Sequence, residues 1–430
     1  MTGTLRPLPT TGSVTGILEA VGFFRDPDFA SRRFHEFGDV FETTLIGQRL
    51  VFIRGEQAIR DLFDQSDAVQ GWWPKSVQTL LGSRSLANRN GAAHKARRRV
   101  VGQLFATAAL RRYSPSIVAM VDALADELME SDADIPLADR MRRFAFAVIA
   151  TTVLGLDGDD RDALFTDFEI WTKALFSVPL AIPGSPFARA LSARSRLLNR
   201  LQTVLQEAND GGRGGLDLLS GGLDEAGMPL TDEDLVEQLL LLLFAGYETT
   251  ASSLSCLMRA LLMHQDLMPW LQEELDQLTW PPQDDPTSAF DPSRAPRLQA
   301  LSSEVMRMTP PVGGFFRQTV EPITLADVQI PAGRVIQVAL AASNRHGTGD
   351  LETFRPQRHL DGSSQPMLLP FGGGERVCLG KALAELEIRL MTVGLLKRVS
   401  FSTVPGQNLD LQLIPSPSPK DGLLVSAEPL

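Results

Sequence analysis

The chain predicts a mainly α fold with a small β part, and three observations carry that expectation. Apolar residues recur at helical spacing through most of the sequence between about residues 90 and 310. β-rich runs are confined to two places, residues 39–54 and 315–338. No segment repeats and no linker divides the pattern, so residues 1–430 read as one large domain.

The elements follow in order. Residues 1–30 are rich in Gly, Pro and Thr and are expected to form an extended lead-in. Val40-Phe41-Glu42-Thr43-Thr44-Leu45 and Arg49-Leu50-Val51-Phe52-Ile53 flank Gly47-Gln48 and predict a hairpin. Helices are expected at Ala93 to Phe105, Val118 to Met129, Asp139 to Leu154, Ala190 to Ala208 and Leu257 to Leu278. Gly211-Gly212-Arg213-Gly214-Gly215 and Gly221-Gly222 mark a loop, because glycine is costly in a helix interior. Thr231 then supplies an N-cap, and Asp232-Glu233-Asp234 an acidic first turn, for the longest helix, which runs to about His264. After Pro310-Pro311, Phe315 to Thr324 and Val328 to Val338 read as strands. Lys381 to Leu395 reads as a final helix, with Glu385 and Glu387 on its exposed side.

Composition narrows the function. Hydrophobic residues at 43% and charged residues at 22% exclude a disordered or fibrous chain. A net charge of −11 argues against nucleic acid as a partner. Two cysteines, Cys256 and Cys378, are too few for a disulfide framework or a four-cysteine metal site. The apolar run Leu239 to Tyr247 falls short of the ~20 residues a bilayer span needs. The first residues carry no basic-plus-apolar export pattern, so a soluble cytoplasmic protein without a transmembrane anchor is expected.

One of the two cysteines stands in a distinctive setting, Phe371-Gly372-Gly373-Gly374-Glu375-Arg376-Val377-Cys378-Leu379-Gly380. A cysteine just ahead of a helix sits in a positive field that favours the thiolate. A glycine loop lets backbone N–H groups approach the sulfur. These are the needs of a metal-ligating thiolate, but a buried structural cysteine and a nucleophile remain open on the residues alone. A nucleophile would need a histidine base, and His346 and His359 lie in a loop without further signature.

The spaced pattern Phe-x-x-Gly-x-Arg-x-Cys-x-Gly is far more specific than its parts, and it resembles the haem-binding loop of the cytochrome P450 family. That resemblance implies the family's fold, with haem between the long oxygen-side helix and the cysteine-loop helix. It also implies Cys378 as sole protein ligand of a non-covalently held haem b (iron protoporphyrin IX), since no Cys-x-x-Cys-His attachment motif exists. Glu304 and Arg307, three apart on one helix face, resemble the family's Glu-x-x-Arg pair. Phe354-Arg355-Pro356-Gln357-Arg358 resembles its Phe-x-Pro-x-Arg segment, which implies that Arg358 joins the pair in a buried structural lock.

Ala245-Gly246-Tyr247-Glu248-Thr249-Thr250 interrupts a leucine-rich helix with an acid and two hydroxyls. A core helix has no structural need for them, and an unpaired buried Glu248 is costly. Widening of the helix at Gly246 is expected to make room for dioxygen, with Thr249 bonding it and Glu248 relaying protons. The segment resembles the family's Ala-Gly-x-Glu-Thr motif. It therefore implies a monooxygenase that takes two electrons from a partner and hydroxylates a C–H bond. A peroxide-driven fatty-acid peroxygenase and a non-catalytic haem sensor on the same fold are the alternatives. Peroxide-using relatives usually carry Arg-Pro in place of the acid–alcohol pair.

Haem propionates need cations, and the resemblance points to Arg376, to His94 and Arg98 (four apart in one helix), and to Arg317. Phe371, Gly380 and Ala245 are implied as further haem contacts. Lys95, Arg97 and Arg99 are expected to offer a docking patch to an acidic donor such as a ferredoxin.

Trp73 to Gly82, Gly91 to Arg98 and Pro310 to Arg317 resemble the retinoic-acid-hydroxylase branch, whose cyanobacterial members are soluble. Trp72 and Trp73 precede a proline in an expected pocket-capping loop, and Val312, Gly313, Phe315 and Phe316 follow the second proline pair. An elongated apolar substrate of retinoid or apocarotenoid type would bury well against such residues. Ordinary core packing is the other reading of both aromatic pairs.

Overall fold

Phe41 lies opposite Phe52 across the expected hairpin, in which Val40–Leu45 pairs antiparallel with Gln48–Ile53. Gly47, at φ +76°, supplies a left-handed turn residue between the two strands. The computed structural model describes residues 5–12, 16–26, 29–45, 47–209, 214–283, 285–362 and 367–430. It divides into two compact units, residues 1–72 with 303–378, and residues 73–302 with 379–430.

The first unit is built on a five-stranded sheet. Its order is Val40–Leu45, Gln48–Ile53, Val335–Ala339, Gly314–Thr319 and Val69–Gly71. Among the pairings of these five strands, that of Gln48–Ile53 with Val335–Ala339 is parallel and the others are antiparallel. Successive residues of a strand face opposite sides of a sheet. Val51, Ile53, Ile336 and Val338 accordingly enter one apolar cluster, and Leu50, Phe52 and Val335 the other.

The second unit is mainly helical. Thr231 Oγ1 accepts from the backbone N–H of Asp234 at 3.3 Å and caps the central helix, Asp232–Met263. Helices Leu137–Thr152, Pro186–Asn209 and Lys381–Leu396 pack against it. The central helix is long and apolar enough to cross a membrane, but 72% of its apolar window is buried inside the protein. It serves as a core helix. A three-stranded sheet of Ile135–Pro136, Leu424–Pro429 and Val399–Thr403 completes this unit.

Several expectations need correction. The N-terminal stretch is not wholly extended, because Ile17–Arg25 and Phe29–Phe37 are helices. Phe29 and Phe34 drive this by burying edge-on against Phe52 and Phe41. The helix expected at Leu257 to Leu278 breaks in two, the second part being Leu267–Leu275. Pro269 explains the break, since it lacks an N–H and is tolerated only in a first turn. Glu387 is not exposed but 1% accessible, on the inner face of Lys381–Leu396. Burial pushes its carboxyl well above the usual range. Gly211-Gly212-Arg213 lies outside the described residues. Gly214 takes φ +80° beside the backbone of Val153 and Gly155, where a side chain would not fit.

Candidate active site

The cysteine loop is shaped by its glycines. Gly372 and Gly374 take φ +68° and +65°, which side-chain-bearing residues rarely adopt. A Cβ on Gly373 would come within 2.7 Å of the Phe63 ring, so the loop lies directly on that ring. The Cys378 N–H donates to the Phe371 carbonyl at 2.9 Å, and the Val377 N–H to Gly374 at 3.1 Å. Cys378 itself is exposed. Gly380 takes φ −82°, so backbone freedom is not what requires a glycine there.

Beside this loop lies a cationic pair. Phe63 stacks on Phe315 at 6.3 Å, and the Arg317 guanidinium sits 4.6 Å above the Phe315 ring. Burial lowers the Arg317 pKa to about 10, and the neighbouring positive charge of Arg376 adds to the effect. Arg376 in turn lies against Gly71, where a Cβ would overlap its guanidinium. Phe63 and Gly71 carry no motif, and sequence reasoning missed both.

In the same unit, Glu304 is the hub of a buried network. Arg307 donates Nε to Oε2 at 2.8 Å and Nη2 to Oε1 at 2.9 Å. Arg358 Nε reaches Oε1 at 3.0 Å, His359 Nε2 lies 2.9 Å from Oε2, and the Arg355 N–H donates to Oε1 at 2.8 Å. Arg307 also bonds the carbonyls of Asn344 and Leu351, tying distant segments together. Burial pushes the Glu304 carboxyl up, but the bonds from Arg307, His359 and Arg355 outweigh it and hold the pKa far below the usual range. The sequence pointed to Glu304, Arg307 and Arg358 but not to His359.

In the second unit, the central helix is mostly buried around residues 232–263, yet Ala245 is exposed and Thr249 only half-buried one turn on. Thr249 Oγ1 donates to the Ala245 carbonyl at 2.7 Å. Glu248 is buried on another side, where desolvation raises its pKa and the charge of Arg142 opposes that shift. The helix continues through Gly246 without a change of type. The glycine serves packing: Ile149 occupies the space that its Cβ would take. His94 is buried and Arg98 half-buried, four apart on helix Gly91–Gly102.

A family model described as Cytochrome P450 matches residues 7–428. This chain belongs to the cytochrome P450 family. It is 33% identical to cytochrome P450 120 of Synechocystis sp., over 96% of this chain and 94% of that protein. It is 29% identical to cytochrome P450 26B1 of Homo sapiens, over 92% of this chain and 81% of the relative. A solved structure of retinoic-acid-bound cyanobacterial CYP120A1 superposes with a TM-score of 0.90 at 32% identity, covering 99% of this chain and 100% of the other.

As a cytochrome P450 the protein is a monooxygenase with a haem-iron cofactor, and it depends on a redox partner. The residues present fit that cofactor. An exposed thiol stands in a glycine loop, and two like-charged guanidiniums, Arg317 and Arg376, lie close enough to disfavour one another. Such a pair is stabilised by an anionic group, as a haem propionate is.

The basic cluster expected to dock an electron donor exposes fewer charges than the sequence suggested. Arg97 is 4% accessible and is spent on Asp234 at 3.1 Å and Glu225 at 2.5 Å. Its guanidinium fastens helix Gly91–Gly102 to the start of the central helix and cannot face a partner. Lys95 and Arg99 are exposed on the same helix.

The aromatic pair expected at the substrate also separates. Phe315 and Phe316 are neighbours in strand Gly314–Thr319 and join opposite apolar clusters of the sheet. Phe316 packs edge-on against Trp72 at 5.3 Å. Strand alternation therefore prevents both phenylalanines from lining one surface. Val312 is 40% exposed, and Gly313 has open space where a side chain would be. Trp73 is half-buried, and its carbonyl accepts from Gln78 Nε2 at 2.6 Å.

Proposed function

We propose that this cytochrome P450 hydroxylates an elongated apolar substrate of retinoid or apocarotenoid type. The observation that carries the reading is the whole-length likeness, at a TM-score of 0.90, to a cyanobacterial P450 that has retinoic acid bound. The cofactor is haem b, the electron donor is of ferredoxin type, and the protein works in the cytoplasm. Bound haem supplies dioxygen activation, drawing two electrons from the donor.

The chain's own residues have separate tasks. Cys378 ligates as a thiolate, favoured by the positive end of the helix that begins at Lys381. Arg317, Arg376, His94 and Arg98 hold the propionates by charge-assisted hydrogen bonds. Phe371, Gly380 and Ala245 bound the haem surface. Thr249 presents its hydroxyl at the exposed stretch of the central helix, and Glu248 passes protons toward it from solvent. Trp73, Val312 and Gly313 are substrate contacts, and Trp72, Phe315 and Phe316 are further candidates. Apolar burial at roughly 25 cal/mol per Å² is ample for micromolar binding of such a ligand.

Spectral titration of the holoprotein tests this. All-trans retinoic acid, retinal and a long fatty acid should each convert low-spin to high-spin haem, most tightly for the retinoids. Tight binding of a compact terpene or a steroid, with no response to any retinoid, would remove the substrate assignment.

A further inference from the structure

Lys75–Leu81 is a seven-residue helix that starts directly after Trp73-Pro74. A helix this short is not stable alone in water, so whatever holds it determines how often it is in place. Its inner face buries Val77, Leu80 and Leu81. Its last turn is held by polar groups from two other helices of the same unit, and the central helix joins through Arg194. The Leu80 carbonyl accepts from Trp171 Nε1 at 3.2 Å and from Arg194 Nε at 2.9 Å. Arg194 Nη2 reaches Glu237 Oε1 at 2.6 Å, and Glu237 Oε2 accepts the Arg84 N–H at 2.7 Å.

The same carboxylate lies against Gly82, where any Cβ would overlap it and where φ is +92°. Asn88 Nδ2 donates to the carbonyls of Gln78 and Gly82, and Gln78 Nε2 to that of Trp73. Hydrogen bonds, joined by short stretches of backbone, thus connect the central helix, through Glu237, to the Trp73 carbonyl.

The groups that hold the Leu80 carbonyl differ in how far they are shut off from water. Trp171 is fully buried, with its ring 5.7 Å from Phe168 and 6.0 Å from Phe244. Arg194 and Glu237 retain 18% and 15% side-chain exposure. Water can therefore replace each partner when their pair opens, and opening strands no buried charge. The wholly buried Glu304–Arg307 pair has no such escape.

We propose that Arg194 and Glu237 form a latch that holds helix Lys75–Leu81, and with it Trp73, in a closed position. Its release opens the way by which substrate enters and leaves. The second statement rests on the placement of Trp73 at the substrate under the proposed function; the first does not.

Hydrogen–deuterium exchange on the holoprotein tests the latch without any ligand. Arg194→Met and Glu237→Gln should each raise amide exchange across residues 75–86 by on the order of tenfold, the loss of one charge-assisted bond. Exchange in helix Pro186–Asn209 and in the central helix should not change. Arg194→Lys should fall between, because one ammonium cannot serve both Leu80 and Glu237 in the guanidinium's geometry. With all-trans retinoic acid as probe, stopped-flow association and dissociation rates should rise together, leaving Kd nearly constant.

Unchanged exchange at residues 75–86 in both variants would overturn the latch. Faster exchange with unchanged retinoic acid rates would overturn its role in access. If retinoic acid does not bind the unmodified protein, the substrate assignment fails and the exchange result alone decides the latch.

Discussion

Glu304 and Arg307 meet side by side at 2.8 and 2.9 Å, one helical turn apart and with neither side chain exposed. Removing one partner of such a pair leaves an uncompensated charge in the interior. Arg307→Leu should destabilise the first unit by about 3–5 kcal/mol. Denaturant unfolding followed by tryptophan fluorescence measures this.

The pH dependence follows from the same carboxylate. The Glu304 pKa in the folded protein lies below its ordinary value of 4.5. The unfolded chain therefore binds the proton first as acid is added. The stabilisation is complete above the ordinary value and is lost progressively as pH falls toward the folded one. A Glu304→Gln variant, if it folds, should lose stability less steeply below pH 4.5 than the unmodified protein. Parallel acid-unfolding curves would contradict the assignment.

Cys378→Ser should abolish the red-shifted band of the reduced carbon-monoxide complex. Cys256→Ser should leave that band intact, because Cys256 is buried in the second unit with Sγ 3.6 Å from the Pro417 carbonyl. Survival of the band in Cys378→Ser would refute the ligand assignment.

Thr249→Ala should retain the haem spectrum and divert electrons to hydrogen peroxide. Glu248→Gln should slow coupled turnover by on the order of 10²-fold, the usual worth of a positioned proton donor. Its solvent isotope effect should change as well. Product formed per electron consumed is the deciding measurement for Thr249, and an unchanged ratio would end the proton-relay reading.

Arg97 and its neighbours should separate by phenotype. Arg97→Met leaves Asp234 without its 3.1 Å partner and should lower stability by roughly 1–3 kcal/mol. Lys95→Glu with Arg99→Glu should leave stability nearly unchanged. That double variant should slow electron transfer from a ferredoxin, most strongly at low salt. Equal electron-transfer rates across a salt series would exclude this helix as the docking surface.

The amino-acid sequence by itself determined the helical class, the hairpin at residues 39–54, the extent of the central helix and which residues are candidates for the chemistry. Cys378, the Glu248-Thr249 pair and the Glu304–Arg307 pair are close in sequence to the residues that define them, so local spacing reports them. Partners brought in from far along the chain leave no such trace. His359 reaches Glu304 across 55 residues, and Glu237 reaches Arg84 across 153. Only folding decides whether a charge is spent internally, as with Arg97, or offered to solvent, as with Lys95. Gly246 shows the same division: its presence was legible, but its purpose, admitting Ile149, depends on which helix packs there. Phe315 and Phe316 part for a related reason, since the pleat sends neighbours to opposite faces and the tertiary structure fills each face with its own core.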